Sequence, residues 1–242
     1  MDLMSCWRGT VGLIKPNFRP GSTEDLIRML PDGIGVVPLH IEMDQGTRNQ
    51  FEASIPDYEK MVAKLAQLDV DIIHPAGSPP FQILGYRGEQ ELMDSWERKY
   101  GRPCFTNGMT QVNALRALKV KSIVGASYFP AELNLMFADY FRQAGIEVRA
   151  MEGVPIEFAK VQTLSSTEIY RFIKKMFLAN PGAEGIYILG PAWRTLDIIE
   201  MLEQDLDVPV VHHLPAQAWE IQRRLHVRER RQGLGRLLRE MP

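Results

Sequence analysis

An α/β fold with two similar lobes, each a parallel sheet flanked by helices, is the class that this 242-residue sequence predicts. Short apolar segments alternate with amphipathic segments of helical spacing, which is the pattern of repeated βαβ units. Several of the apolar segments end at Gly or Pro, as buried parallel strands do where they open into loops. The plan repeats in the second half of the chain. We therefore expect pseudo-twofold lobes that face each other, with ligands at the carboxyl ends of the strands.

The first half alternates strands and helices from residue 11 onward. The segment Val11–Lys15 predicts the first strand, and Ser22 with Asp25 three residues later predicts the capped start of the first helix. Residues 56–68 have apolar side chains at helical spacing, and residues 81–88 are expected to form a loop. The remaining elements predicted here are strands at 35–40, 70–73 and 101–105 and helices at about 89–100 and 109–118.

The second half repeats this order. Ser165-Ser166-Thr167-Glu168 predicts a helix start, and that helix is expected to end near residue 180. The other predicted elements are strands at 121–126, 147–151, 185–189 and 208–211 and helices at about 131–143, 195–204 and 215–225. We expect an N-terminal lobe at 1–118, a C-terminal lobe at 119–212, and a last helix and tail at 213–242 that pack back on the N-terminal lobe.

Composition and charge exclude several classes of function. The chain is 45% hydrophobic and 24% charged, with a net charge of −2, so nothing favours binding to nucleic acid or to an anionic membrane. The sequence contains no apolar run of membrane-spanning length and no signal-peptide pattern, which predicts a cytoplasmic protein. The arginine-rich run Arg228–Arg239 has no interleaved aromatic residues, so it is expected to be a solvated tail. Cys6 and Cys104 form no CxxC motif and are expected to be structural thiols.

The segment His74–Pro80 follows an apolar run and is predicted to be a strand end opening into a loop. Gly77 has no side chain, so backbone N–H groups can approach an anion closely at this point. The alternative is a tight turn without any chemical role.

A resemblance to a known family covers nearly the whole chain. Residues 101–128, GRPCFTNGMTQVNALRALKVKSIVGASY, resemble the matching segment of arylmalonate decarboxylase and the maleate isomerases, which belong to the aspartate/glutamate racemase superfamily. Further matching segments are Gly12-Leu13-Ile14 with Pro16, Tyr86-Arg87-Gly88, Arg194–Val211 and Gly233–Leu238. The resemblance implies a two-lobed α/β fold with the active site in the cleft between the lobes. It also implies proton transfer, decarboxylation or isomerisation next to a carboxylate, without a cofactor.

This chain departs from the family at both of its cysteine positions. The racemases place one cysteine at a strand end of each lobe, and on matching these fall at Gly77 and Gly190. The decarboxylase has glycine at the first position and uses the second cysteine as its proton donor. Cys104 falls where the decarboxylase has a non-catalytic cysteine, so it is no substitute. The resemblance and the strand-end positions predict the following substrate-binding residues: Asn17, Gly77, Ser78, Ser127, Tyr128, Gly190 and Arg194.

Histidine is the residue type best suited to replace the missing thiols, because its ordinary pKa lies near neutral pH. Four of the five histidines, all except His226, lie at predicted carboxyl ends of strands. His74, His213 and His40 are the candidate catalytic residues. An alternative is that these three, with Glu42 or Asp44, bind a divalent metal such as zinc or iron.

Three functions therefore stay open at this level. The first is a cofactor-independent lyase or isomerase that acts on a small carboxylate with histidine chemistry. The second is a metal-dependent hydrolase or lyase on the same scaffold, and the third is a non-catalytic carboxylate-binding homologue. The expected partner is a small carboxylate, and the protein could form a homo-oligomer.

Overall fold

The computed structural model describes residues 6–16, 18, 20–43 and 47–242. The chain divides into two compact units, called unit 1 and unit 2 below. Unit 1 comprises Met1–Thr110 and Glu220–Glu229, and unit 2 comprises Gln111–Trp219 and Arg230–Pro242. Each unit contains one parallel sheet with helices around it, which confirms the predicted fold class.

Unit 1 has a three-stranded parallel sheet in the order β2-β1-β3. Its strands are β1 (Gly9–Lys15), β2 (Ile34–His40) and β3 (Ile72–Pro75). The strand predicted at 101–105 is wrong as a full strand, because only Cys104 forms a parallel bridge, to Ile73. Pro103 lacks an N–H group and Gly101 has a φ of 66°, and both limit a longer ladder.

The helices that begin in unit 1 pack mainly through apolar faces. Helix α3 buries Tyr58, Val62 and Leu65 in the core beside β1 and β3, as its helical spacing predicts. Residues 81–88 are not a loop as predicted. Prolines suit the first turn of a helix, and two of them begin a short helix directly after Ser78. The bounds are α1 (Ser22–Met29), α2 (Arg48–Ala53), α3 (Ile55–Gln67), α4 (Pro79–Gln82), α5 (Gly85–Tyr100) and α6 (Asn107–Ala117).

Unit 2 has a four-stranded parallel sheet in the order β5-β4-β6-β7. Its strands are β4 (Ser122–Ser127), β5 (Glu147–Gly153), β6 (Gly185–Ile188) and β7 (Val210–His212). The helices that begin in unit 2 are α7 (Ala131–Gln143), α8 (Ser166–Leu178), α9 (Ile199–Leu206), α10 (His213–Arg224) and α11 (Arg236–Glu240), and short 3₁₀ segments lie at Phe158–Thr163 and Leu196–Ile198. Helix α8 begins at the predicted capping box, in which the Ser165 hydroxyl accepts from the Glu168 N–H.

The strand register determines which residues lie at the carboxyl edge of each sheet. In unit 1, Lys15 pairs with His40, and Leu13 pairs with His74. In unit 2, Ile188 pairs with Ala126 on one side and with His212 on the other. The loops that follow these strands are therefore neighbours within each unit. Within the described residues, every helix is too short or too polar to cross a membrane.

Candidate active site

His74 lies at the end of β3 and is completely buried in unit 1. Its Nδ1 lies 2.6 Å from the carbonyl oxygen of Phe105, and its ring stacks on the Phe105 ring with centroids 4.4 Å apart. A carbonyl only accepts, so Nδ1 carries the proton and Nε2 has the lone pair. Burial lowers the pKa of His74 to about 4. The imidazole is therefore neutral near pH 7.

The loop after β3 turns at Gly77, whose φ is +111°. The Gly77 N–H donates to Asn107 Oδ1 at 2.6 Å, and the Tyr58 hydroxyl donates to the Ala76 carbonyl at 2.5 Å. A Cβ at position 77 would lie 2.8 Å from the Tyr58 oxygen and 3.3 Å from Pro16 Cγ. Glycine therefore satisfies both the backbone conformation and the close approach. The buried Ser78 follows and precedes the first turn of α4.

Asn107 contributes a hydrogen-bond donor that our sequence reasoning missed. Because a backbone N–H can only donate, the atom that faces Gly77 must be the amide oxygen, which turns the amide nitrogen away. That nitrogen, Nδ2, is buried and has no hydrogen-bond partner among the described residues. Asn107 follows the segment that forms a parallel bridge to β3, so the rule of strand carboxyl ends could have identified it.

His40 and Lys15 end the two neighbouring strands β2 and β1. The half-buried His40 ring stacks on Phe18 with centroids 5.4 Å apart. Burial lowers the pKa of His40 first, and the charge of Lys15 lowers it further, while Glu24 opposes both effects. Burial also lowers the pKa of Lys15, whose side chain is largely inside the unit. The predicted residues Asn17 and Asp44 lie outside the described residues, and Glu42 is exposed.

In unit 2, the position that matches the second family cysteine is covered by a tyrosine. Gly190 has a φ of +93°. A Cβ there would lie 2.5 Å from Tyr128 Cζ and 2.6 Å from Cε1, and the Tyr128 hydroxyl oxygen lies nearer still. The Tyr128 ring meets Trp193 edge to face at 5.3 Å and packs against Phe129 at 4.8 Å. The phenol is buried and held in place by these rings.

Two other predicted substrate-binding residues of unit 2 have different surroundings. The Ser127 hydroxyl is buried, donates to Asn134 Oδ1 at 2.6 Å and accepts from the Phe129 N–H at 3.0 Å. It therefore stabilises the turn after β4 with its only hydrogen. The Arg194 side chain is exposed, so its guanidinium is accessible to an anion. Substrate contact by either residue stays a prediction.

Two adjacent buried histidines lie at the end of the last strand of unit 2, His212 as the final residue of β7 and His213 as the first residue of α10. The Leu214 N–H donates to His212 Nδ1 at 3.2 Å, so the His212 proton is on Nε2 and donates to Thr195 Oγ at 2.7 Å. Burial lowers the pKa of His212 to about 3. The His213 ring lies 4.6 Å from that of His212, and neither of its nitrogens has a hydrogen-bond partner among the described residues. Burial, and then the neighbouring His212, hold the pKa of His213 well below its ordinary value.

The metal alternative receives no support from the arrangement of side chains. Across the described ranges, no group of three or more His, Cys, Asp or Glu side chains is placed to hold a metal ion. The suggested ligand set of His40, His74 and His213 does not form such a group. Cys104 is completely buried, and burial raises the pKa of its thiol to about 12, which leaves very little reactive thiolate near pH 7.

Comparisons with known proteins agree on one family and one fold. The profile of the arylmalonate decarboxylase family matches residues 11–238. The arylmalonate decarboxylase of Bordetella bronchiseptica is 24% identical over 215 residues, which cover 87% of this chain and 88% of that protein. The maleate isomerase Iso of Pseudomonas putida S16 has a TM-score of 0.86 at 20% identity, covering 97% of this chain and 99% of that one. A cysteine-to-serine variant of the Nocardia farcinica maleate cis-trans isomerase, with a covalently bound succinylcysteine intermediate, has a TM-score of 0.82 at 18% identity, covering 96% of this chain and 98% of that one.

Proposed function

Because this chain belongs to the arylmalonate decarboxylase family, a family of enzymes, we propose that it is a cofactor-independent lyase or isomerase of small mono- or dicarboxylates. The proposed reaction is decarboxylation, cis–trans isomerisation or proton transfer next to a carboxylate. In this proposal histidine takes over proton handling that cysteine performs in relatives. Membership of this family agrees with the resemblance of residues 101–128 to the decarboxylase and the maleate isomerases.

One observation carries the proposal. At the carboxyl edge of each sheet lies a buried polar group that has no hydrogen-bond partner among the described residues. In unit 1 that group is the amide nitrogen of Asn107, and in unit 2 it is the ring of His213. Leaving a buried polar group without a partner costs about 1–3 kcal/mol, so a polar ligand that pairs with it is favoured. A substrate carboxylate is a ligand of that kind.

Binding of a carboxylate would also change the histidines. Near pH 7 the buried imidazoles of His74 and His213 are neutral, because burial disfavours the charged ring. A negative charge nearby favours the imidazolium form and raises the histidine pKa. Proton uptake would therefore accompany substrate binding, and the imidazole lone pair is the site at which the proton is held. The backbone turn at Gly77, the Ser78 hydroxyl and the Arg194 guanidinium are the proposed carboxylate contacts.

Activity is tested on purified protein with phenylmalonate and with maleate, and products are followed by NMR. Each reaction is run with EDTA and with added zinc or magnesium. We expect turnover on one substrate class that is the same in both conditions. Turnover only with added metal would favour the metal-dependent hydrolase or lyase. A thermal shift with these carboxylates but no product would favour the non-catalytic homologue.

The histidine part is tested separately with matched variants. His74→Asn and His213→Asn should each lower kcat at least ~100-fold, the usual minimum for loss of a positioned acid or base. His226→Asn is the control, because His226 is exposed and its φ of +56° suits asparagine. Native turnover in both His74→Asn and His213→Asn would refute histidine chemistry while leaving the family reaction in place.

A further inference from the structure

Each of the two glycines at the family cysteine positions has a tyrosine hydroxyl where its missing side chain would lie. At Gly77 the hydroxyl belongs to Tyr58, and its hydrogen is used in a bond to the Ala76 carbonyl. At Gly190 the hydroxyl belongs to Tyr128, which approaches so closely that its oxygen and two ring carbons overlap the place of a Cβ. The volume that a cysteine side chain needs at position 190 is therefore filled by the phenol of Tyr128.

The packing holds this phenol at the strand end. Trp193 lies edge to face with the Tyr128 ring at an interplanar angle of 89°, and Phe129 packs on it from the next position in the chain. Trp193 is 5% exposed and Tyr128 is 6% exposed. A phenol locked by two aromatic contacts cannot leave the space above Gly190 without repacking these rings. Its hydroxyl is thus a preorganised group at the position of the family thiol.

We propose that the Tyr128 hydroxyl is the proton donor of this enzyme and takes the part of a cysteine thiol at position 190. The inference rests on the proposed function: the neutral histidines accept and hold a proton there, and Tyr128 donates the proton that reaches the α-carbon. With an arylmalonate, the bond between the α-carbon and one carboxyl group breaks, CO₂ leaves, and the electron pair stays on the α-carbon. The O–H bond of Tyr128 then breaks as the new C–H bond forms. The phenolate regains its proton from solvent water.

Other buried acids of the described residues are less suited to this step. The hydrogen of Tyr58 is engaged with a backbone carbonyl, and burial raises the pKa of that phenol. The Cys104 thiol is completely buried, and burial raises its pKa to about 12. His213 is neutral near pH 7 and has only a weakly acidic N–H to give. A phenol, with an ordinary pKa near 10, is acidic enough to protonate a carbanion rapidly.

The first test removes only the hydroxyl. Tyr128→Phe keeps the ring contacts, and we expect kcat to fall at least ~100-fold with little change in KM or melting temperature. Tyr187→Phe is the matched control, since it also removes a buried tyrosine hydroxyl from unit 2, one that donates to Gln111 Oε1 at 2.8 Å. With the prochiral 2-methyl-2-phenylmalonate, the native protein should form one enantiomer in excess. The residual product of Tyr128→Phe should be racemic, because water then supplies the proton.

The second test restores a thiol. The double variant Tyr128→Ala/Gly190→Cys makes room for the cysteine side chain, and circular dichroism and melting temperature report whether it folds. We expect part of the turnover to return and to become sensitive to iodoacetamide. The alkaline limb of the kcat profile should move to lower pH, because a thiol ordinarily loses its proton at lower pH than a phenol.

The outcomes separate this inference from the proposed function. Native protein that turns over no carboxylate overturns the proposed function and the inference with it. Turnover in Tyr128→Phe within about threefold of native, with unchanged enantiomeric excess, overturns the inference alone. A rise in KM at constant kcat overturns it too, because Tyr128 would then bind the substrate without protonating it.

Discussion

Acid should destabilise this protein through its buried histidines, and His74 allows the effect to be measured. The pKa of His74 is lowered from 6.5 to about 4 on folding, and that of His212 to about 3. Between these values and 6.5 the unfolded chain binds a proton that the folded protein excludes. The stability that the neutral rings contribute is therefore complete above about pH 6.5, and the free energy of unfolding falls as the pH decreases toward the folded pKa values.

The size of the effect follows from 1.36 kcal/mol for each pH unit of difference. Between about pH 7.5 and pH 5, each of the two rings should contribute a loss of ~2 kcal/mol in the free energy of unfolding. Because both rings are essentially unexposed, solvent screening reduces this little. Glu203 acts in the opposite direction, since burial raises the pKa of its carboxyl group. The difference between variants is therefore more informative than the absolute change.

The assay is urea unfolding of the native protein and of His74→Asn at both pH values, followed by circular dichroism. Loss of the ring destabilises His74→Asn at each pH. Between pH 7.5 and pH 5, however, the free energy of unfolding of this variant should decrease by ~2 kcal/mol less than that of the native protein. His226→Asn, at an exposed position, should show the native decrease. An equal decrease in native protein and His74→Asn would refute the argument that burial keeps this imidazole neutral.

Three further predictions concern the strand-end loops and the buried thiol. Gly190→Ala should destabilise the protein by ~2–6 kcal/mol, because the new Cβ adds backbone strain and overlaps Tyr128. In a Tyr128→Ala background, the destabilisation caused by Gly190→Ala should drop to ~1–3 kcal/mol in a double-mutant cycle measured by urea unfolding. An equal destabilisation in both backgrounds would contradict the steric overlap. Cys104→Ala should keep near-native kcat, and iodoacetamide should leave native turnover largely intact, because the thiol is buried with its pKa raised to about 12. Asn107→Asp replaces an amide donor with a negative charge, so KM for a dicarboxylate should rise at least ~10-fold, whereas a KM equal to native would exclude Asn107 from binding.

The α/β class could be predicted from sequence because its signals are local. The strand at 70–73 and its Pro- and Gly-containing exit are visible as a short apolar run with chain-breaking residues, and the structure has β3 at Ile72–Pro75. The capping box at Ser165 likewise predicts the start of α8 within a single turn. The prediction of a loop at 81–88 was wrong, because the tertiary environment buries residues 79–82 and these residues form a short helix.

The positions of candidate residues at strand ends could also be inferred, because parallel strands share one carboxyl edge. Which way each side chain turns depended on residues distant in sequence, and only the tertiary structure decided it. The Phe105 ring stacks on the His74 ring, and the Phe105 carbonyl accepts a hydrogen bond from His74 Nδ1. These contacts bury an imidazole that the sequence places at the carboxyl end of a strand. Tyr128 fills the space above Gly190 because Trp193 and β6 bring the two together, and no local pattern records that approach.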